Sequence, residues 1–307
     1  MLSTRLSFRR VVCQPRLLAY SSCNQRRFSR YSNPVSNIQP ALVNDQHDSI
    51  SPIAPIPKIQ VTSNWHTLQD QPLTKDAIWN LFNNVIPSIR HTGFLSSDEC
   101  QKVAEVIQSH RVKAYFEGIE EANSLQDRIK AETNIDIVGR VAAALQEIMG
   151  LETRIALEGD KKYFCGLLRV VDNYIQIHPD FGQYDGPDWE IGRIAGQLTW
   201  NILLKKIPGG DTIIYDRQWQ GVEDDRNFQK EFPRYAYKPT GVQGHLFKAL
   251  SAIEGDLTFF NPRNFHEVKP CDRAWDRPEE LVRYTLSSFV GLLPGENGKP
   301  PTLILWS

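Results

Sequence analysis

After Arg154 the chain falls into short apolar or alternating runs broken by Gly, Pro and Asp turns, with no helical period between them. The runs lie near Cys165–Val171, Tyr174–His178, Gln197–Ile207, Asp211–Tyr215, Leu257–Phe260, His266–Val268 and Arg283–Leu292. Parallel strands need a crossover of a dozen or more residues, usually helical, and these connections lack that pattern. The spacing therefore predicts an antiparallel sandwich or barrel of about seven strands.

Helices are expected ahead of the strands. Ser96-Ser97-Asp98-Glu99 supplies cap candidates, and Cys100, Val103, Val106 and Ile107 recur at helical spacing up to about His110. Val138, Val141, Ala142, Leu145 and Ile148 mark a second helix over Ile137–Met149, stopped by Gly150. From Asn33 to Ile59 the sequence is rich in Pro, Ser and Asn without an apolar period, and reads as linker. One domain is expected over residues 60–307, large enough to bury about 70–75 % of its unfolded surface.

The balance of 35 Lys+Arg against 36 Asp+Glu hides an asymmetry. Residues 1–44 hold seven Arg, seven Ser and no acid, so that 28 basic residues face 36 acids in the rest. Leu2, Leu6, Phe8 and Val12 can form one apolar stripe opposite those arginines, and Arg26-Arg27-Phe28-Ser29 looks like a processing site. Residues 1–32 thus read as an organelle transit peptide, for a mitochondrion or alternatively a plastid. No run approaches the roughly 18–20 apolar residues of a membrane span, and the charge offers no nucleic-acid surface. Cys100, Cys165 and Cys271 follow the expected transit segment, an odd number without C-x-x-C spacing, which supports neither a disulfide framework nor a thiolate zinc site.

Three motifs carry chemistry. In Tyr174-Ile175-Gln176-Ile177-His178-Pro179-Asp180, His178 and Asp180 are two positions apart, so an extended backbone puts both on one face about 6.6 Å apart at Cα. Pro179 stiffens the pair by holding His178 in the extended region. His266 follows His178 by 88 residues, far enough to come from another strand of the same sheet. Two imidazoles and one carboxylate on one side of a metal, with the other positions open, describe the facial triad of non-haem Fe(II) oxygenases. In Arg283-Tyr284-Thr285-Leu286-Ser287-Ser288-Phe289, Arg283, Thr285 and Ser287 alternate to one face. A guanidinium beside a hydroxyl suits a carboxylate.

In that order, His178-x-Asp180, His266 and Arg283-x-Thr285 resemble the Fe(II)- and 2-oxoglutarate-dependent dioxygenase superfamily, particularly its prolyl-hydroxylase-like branch, over roughly residues 93–293. The start of the Ser96 helix, the double-glycine turn Pro208-Gly209-Gly210-Asp211-Thr212, and Gly255-Asp256-Leu257 are similar to that branch as well. The resemblance implies a mainly β fold with flanking helices, a double-stranded β-helix or cupin-like jelly roll. It implies His178, Asp180 and His266 as Fe(II) ligands, and 2-oxoglutarate and O2 as cosubstrates. Arg283, helped by Thr285, would pair with the distal carboxylate of 2-oxoglutarate, with Tyr174 as an extra donor. Asp180 stands where halogenating relatives carry a small residue, so halogenation is not expected. The connection from His266 to Arg283 is longer than in many relatives, and leaves Arg273 and Arg277 as less favoured carboxylate partners.

Gln197, Thr199 and Asn201 share one parity on an apolar strand, as pocket donors or half-buried face residues. The polar and aromatic stretch between Tyr215 and Phe247 interrupts the strand pattern and reads either as a solvated insertion or as a lid. With a lid, Arg193, Arg217 and Arg234 become candidates for gripping an acidic substrate. The leading expectation is an oxygenase that hydroxylates, desaturates or cyclises a small amino-acid-derived carboxylate, releasing succinate and CO2. A protein side-chain hydroxylase of the prolyl type and a non-catalytic jelly roll that binds a metabolite or metal are the alternatives.

Overall fold

The computed structural model describes residues 63–110, 118–170, 174–271, 283–296 and 298–307. The expected transit segment, the linker and most of the long connection between Cys271 and Arg283 lie outside the described residues.

The first part of the domain is helical. Strand β1 (Gln71–Pro72), helix α1 (Lys75–Phe82) and β2 (Ile89–His91) precede α2 (Ser97–Ser109), α3 (Gly118–Thr133) and α4 (Ile137–Met149). Helix α2 starts where expected because Ser96 and Glu99 close a capping box: Glu99 N–H donates to Ser96 Oγ at 3.2 Å and Ser96 N–H to Glu99 Oε2 at 2.9 Å. Its buried stripe is Cys100, Val103, Ala104, Val106 and Ile107. Asp136 caps α4 by accepting from Gly139 N–H at 2.8 Å, and a side chain at 139 would collide with that carboxylate. Gly150, at φ 67°, ends α4 in the left-handed region. Helices α1 and α3 were not marked by apolar periodicity.

Glu99 also ties α2 to α4, since Arg140 Nη2 donates to its Oε1 at 2.6 Å. That hydrogen bond, together with the capping bond from Ser96, lowers the Glu99 carboxyl from 4.5 to about 2. A carboxylate whose folded pKa is depressed stabilises the fold above its unfolded pKa and loses that contribution as pH falls through the folded value. The unfolding free-energy difference between the parent chain and Glu99→Gln should therefore be constant above pH 4.5 and fade toward pH 2. A difference unchanged between about pH 6 and about pH 3 in denaturant titrations would remove Glu99 from this role.

The strands follow as β3 (Glu152–Ile155), β4 (Leu157–Glu158), β5 (Lys161–Lys162), β6 (Leu167–Val170), β7 (Ile175–His178), β8 (Gly196–Lys205), β9 (Thr212–Gln218), β10 (Phe247–Leu250), β11 (Leu257–Phe260), β12 (Asn264–Val268), β13 (Tyr284–Leu293) and β14 (Thr302–Trp306). Each of the seven expected runs is a strand, with ends shifted by a few residues. One sheet has the order β1-β2-β11-β8-β13-β14-β3, with β6 also paired to β13, and the other the order β10-β9-β12-β7. Strands β6, β13, β8 and β11 of the larger sheet are antiparallel neighbours, as are β7, β12, β9 and β10 of the smaller. From β6 to β13 the chain alternates between the two sheets, except where β10 pairs directly with β9. This is a double-stranded β-helix, a jelly roll. Among the described strands, the parallel pairs are β1 with β2 and β14 with β3.

Side-chain alternation assigns the two faces of the larger sheet. Leu198, Trp200, Ile202 and Leu204 of β8, Leu257 and Phe259 of β11, and Tyr284, Leu286 and Val290 of β13 share one apolar core with α1, α2 and α4. Each fully buried Leu or Ile in it contributes about 1.5–3 kcal/mol. The opposite parity carries Thr199, Asn201 and Leu203, Thr258 and Phe260, and Arg283, Thr285, Ser287 and Phe289, which line a cavity shared with the smaller sheet. A mixed apolar and polar strand thus has a simple reading: its apolar half faces the helices and its polar half faces the cavity.

The stretch between Tyr215 and Phe247 takes a role between the two expected ones. Trp219, Phe228, Tyr237 and Val242 pack with Phe265 and Ile177 in a second apolar cluster. Phe265 has the opposite parity to cavity-facing His266, so the segment covers the outer face of the smaller sheet. It also continues the sheet at its edge, where Tyr237 N–H donates to Ile177 O at 2.8 Å.

Candidate metal centre

His178 and His266 face each other across the β7–β12 pair, directly opposite in register, with ring centroids 4.2 Å apart. Asp180 lies just past the end of β7, and its N–H donates to Pro262 O at 2.9 Å. That bond brings its Oδ2 to 3.7 Å from His178 Nε2 and 3.6 Å from His266 Nε2. One donor atom from each residue lies within 4.8 Å of the others, the arrangement of a metal-holding group.

The histidines are set for ligation by their second nitrogens. His178 Nδ1 is 2.7 Å from Gln176 O and His266 Nδ1 is 2.9 Å from Asn264 O. A carbonyl only accepts, so each Nδ1 carries the proton and each Nε2 presents its lone pair toward Asp180. This fixes tautomer and ring orientation in the manner of outer-shell partners of metal-ligating histidines. Behind His266, the Asn264 amide donates to Asn84 Oδ1 at 2.7 Å, and Trp65 Nε1 donates to the same oxygen at 3.2 Å. Phe260 meets the His266 ring edge-on at 5.0 Å, and Tyr235 meets His178 at 5.8 Å.

Arg283 lies at the other end of the cavity. It is 6 % exposed, and its guanidinium passes over Gly210, where a Cβ would come within 2.9 Å of Nη1. Gly210 has φ +77°, so the second glycine of the turn serves both the backbone and the arginine. Burial pulls the Arg283 pKa below its ordinary value, against the pull of Cys271 and Asp211. Arg283 Nε and Thr285 Oγ1 are buried without a hydrogen-bond partner. A buried cation with an unsatisfied donor next to an unsatisfied hydroxyl is a seat for a carboxylate. The distal carboxylate of 2-oxoglutarate fits that seat, and the His178, Asp180 and His266 donor set fits Fe(II).

Of the other expected site residues, Asn201 reaches the cavity and the rest do not. Tyr174 OH donates to Glu267 Oε2, and Glu267 also accepts from Tyr215 OH at 2.8 Å and Lys269 Nζ at 2.7 Å. Glu267 alternates with His266, so Tyr174 is held on the outer face of the smaller sheet, away from Arg283. Gln197 Oε1 accepts from Gly182 N–H at 2.7 Å, which fixes the turn after β7. Asn201 lines the cavity. Arg217 binds Asp224 at 2.5 Å and stacks over Phe265 and Phe228, on the outer face. Arg193 and Arg234 are exposed and outside the cavity lining.

Sequence reasoning missed Arg169 on β6, which lines the cavity and donates from Nε to Ser287 Oγ at 2.9 Å. A charged residue alternating with Leu168 inside an apolar strand was the available signal.

No protein-family model matches the sequence. Among curated proteins, the leucinostatins biosynthesis cluster protein S of Purpureocillium lilacinum is 47 % identical over 195 residues, 63 % of this chain and 79 % of that protein. Among solved structures, an N-substituted L-amino acid dioxygenase from Burkholderia ambifaria aligns at 14 % identity over 76 % of this chain and 91 % of its own, with a TM-score of 0.48. A Pseudomonas putida prolyl-4-hydroxylase aligns at 14 % identity over 72 % of this chain and 96 % of its own, with a TM-score of 0.36. The jelly roll, the His-Asp-His cluster and the buried arginine agree with the resemblance drawn from the motifs. With 47 % identity across 79 % of its relative's length, the chain belongs to the family of the leucinostatins biosynthesis cluster protein S.

Proposed function

We propose that the chain is an Fe(II)- and 2-oxoglutarate-dependent oxygenase that oxidises a C–H bond of a small, amino-acid-derived carboxylate in a biosynthetic pathway. The observation that carries this reading is one cavity with two seats. At one end three neutral or anionic donors converge, and at the other Arg283 Nε and Thr285 Oγ1 await a carboxylate. A jelly roll that holds only a metal has no need of the second seat.

In this reading His178, Asp180 and His266 hold the iron, and Arg283 with Thr285 holds the distal carboxylate of the cosubstrate. The bound pair supplies O2 activation coupled to loss of CO2, so that 2-oxoglutarate, O2 and substrate C–H become succinate, CO2 and oxidised substrate. The protein's own contribution is alignment and exclusion of water. Gln176 O and Asn264 O keep both imidazoles in the ligating tautomer, and Phe260 and Tyr235 wall the cluster. Asp180 occupies the position a halide would need, so the reading is oxygenation. The relative's place in a biosynthesis cluster supports a metabolite substrate.

Anaerobic addition of Fe(II) and then 2-oxoglutarate to the full chain should produce a weak visible charge-transfer band. Addition of 2-oxoglutarate without metal should not. Soluble, folded protein that shows no band would sink the oxygenase reading in favour of a binding role.

A further inference from the structure

The cavity wall on the larger sheet runs in levels set by strand register. Thr285 pairs with Leu203, Ser287 with Asn201 and Phe289 with Thr199, while on the other side of β8 Asn201 pairs with Thr258 and Thr199 with Phe260. Arg283 and Thr285 stand at one end of this ladder, and Phe260, which meets the His266 ring, stands at the other. The level between them holds Ser287, Asn201 and Thr258. The hydroxyls nearby are spent: Thr258 Oγ1 donates to Asn201 O at 3.3 Å, Thr199 Oγ1 donates to Ser288 O at 3.2 Å, and Ser287 Oγ accepts from Arg169 Nε at 2.9 Å. The Asn201 amide differs. It lines the cavity, and among the described residues nothing exchanges a hydrogen bond with it. Its backbone is held firmly, since β8 lies between β13 and β11 and the neighbouring Trp200 and Ile202 are both 0 % exposed in the apolar core.

We infer that Asn201 is a third contact for the cosubstrate, its amide donating to the 2-oxo acid end of 2-oxoglutarate beside the metal cluster. The inference rests on the oxygenase reading and deepens it. A dicarboxylate seated on Arg283 and Thr285 and reaching toward His178, Asp180 and His266 passes the Asn201 level, because that level alone separates the two ends of the wall. Successive levels are two residues apart, about 6.8 Å along a strand, so the step from Thr285 to Asn201 is on the scale of a five-carbon diacid. The middle carbons of that acid carry no acceptor, and its distal oxygens face Arg283. The 2-oxo acid end is therefore the part an amide one level on can serve. An amide on a cavity wall loses water when a ligand enters and needs a partner in exchange, and donation to a charged group is the stronger kind of hydrogen bond. An apolar residue would line the same place without that need, so the asparagine points to an acceptor brought in by the ligand.

The test reads the complex and needs no turnover. Fe(II) and then 2-oxoglutarate are added anaerobically to the full chain, and two quantities are recorded: the 2-oxoglutarate concentration at half-development of the visible band, and the position of that band. Asn201→Leu, close in size and without the amide, should raise the concentration about tenfold or more, the loss of one hydrogen bond to a charged group. It should also move the band to shorter wavelength, because a donor on the 2-oxo acid favours the charge transferred to it from the metal. Asn201→Asp should weaken binding further by setting one carboxylate against another. Thr285→Val, which acts at the distal end, should raise the concentration and leave the band in place. Thermal melts on the same samples report folding, and if Asn201→Leu melts well below the parent, Asn201→Asp decides by the same two readings. Wild-type affinity and band position in the Asn201 variants would overturn the assignment and leave the amide to the substrate. Weaker binding with an unmoved band would overturn it too, as the mark of a merely structural effect. Failure of the oxygenase reading shows differently: the wild-type chain gives no band, and the assignment falls with it.

Discussion

Replacing His266 by alanine is expected to weaken metal binding severely, to remove turnover and to leave the protein folded. The imidazole supplies one of three donors, and its loss leaves His178 and Asp180 as a two-ligand site on a shared cavity. Loss of outer-shell partners alone typically lowers metal affinity 10- to 100-fold, so deletion of a ligand is expected to cost about a hundredfold or more. The structural cost is smaller. His266 is 5 % exposed, and its removal leaves Asn264 O without the Nδ1 donor, a loss of about 1–3 kcal/mol within a domain whose apolar core lies on the far side of the larger sheet. Anaerobic metal titration and a thermal melt on the same sample separate the two effects. Retention of Fe(II) by His266→Ala at wild-type affinity would move the metal away from this cluster.

The strength of the metal-centre expectation came from order and spacing, and so did its weakness. His178 and Asp180 share a face because they flank one residue at a strand end, and His266 meets them because β7 and β12 are neighbours in the smaller sheet. The alternation along β8 and β13 was equally legible, since Trp200 and Leu286 on one parity and Asn201 and Thr285 on the other are chemically distinct. Counting by twos failed at Tyr174. Between β7 and β12 the register pairs His178 with His266 but Ile175 with Val268, three residues against two, and that irregularity rotates everything before it. Tyr174 therefore meets Glu267 rather than the cavity. No periodicity in a single strand reveals a bulge in its pairing.

Arg217 failed for a related reason. Parity on β9 sorts residues into two faces, but which face is inner is decided by the sheet opposite, through Ile214 packing with Phe260 and Leu250. The insertion containing Arg234 followed the same logic: an apolar outer face at Phe265 and Ile177 needs cover, and the aromatic residues supply it. Helix α3 escaped notice because Leu125 and Ile129 are its buried positions among the described side chains, too few to set a period. Strand β14 shows the converse. Leu303, Ile304 and Leu305 are each 0 % exposed, a run buried on both faces because β14 lies between β13 and β3, and such runs carry no alternation.

Arg283→Met should separate function from stability in opposite directions. The guanidinium is buried, its Nε lacks a partner, and burial depresses its pKa, all signs that the charge is held at a cost in the folded protein. An apolar side chain of similar reach removes that cost, and replacement of buried ionic groups by apolar ones is often neutral or stabilising by about 1–4 kcal/mol. The melting temperature of Arg283→Met is therefore expected to match or exceed that of the parent. On the proposed function, Arg283 would give the cosubstrate carboxylate two charge-assisted hydrogen bonds, and the same change would remove them. At the low end of about 1.5 kcal/mol each, their loss totals about 3 kcal/mol, a factor of roughly a hundred in the 2-oxoglutarate needed to develop the visible band. Thr285→Val removes the hydroxyl alone and should cost about tenfold on the same scale. A variant that melts lower and binds 2-oxoglutarate normally would make Arg283 a structural cation held by Cys271 and Asp211. A variant that melts no lower but binds poorly shows that an unfavourable charge persists in the fold because the ligand completes it.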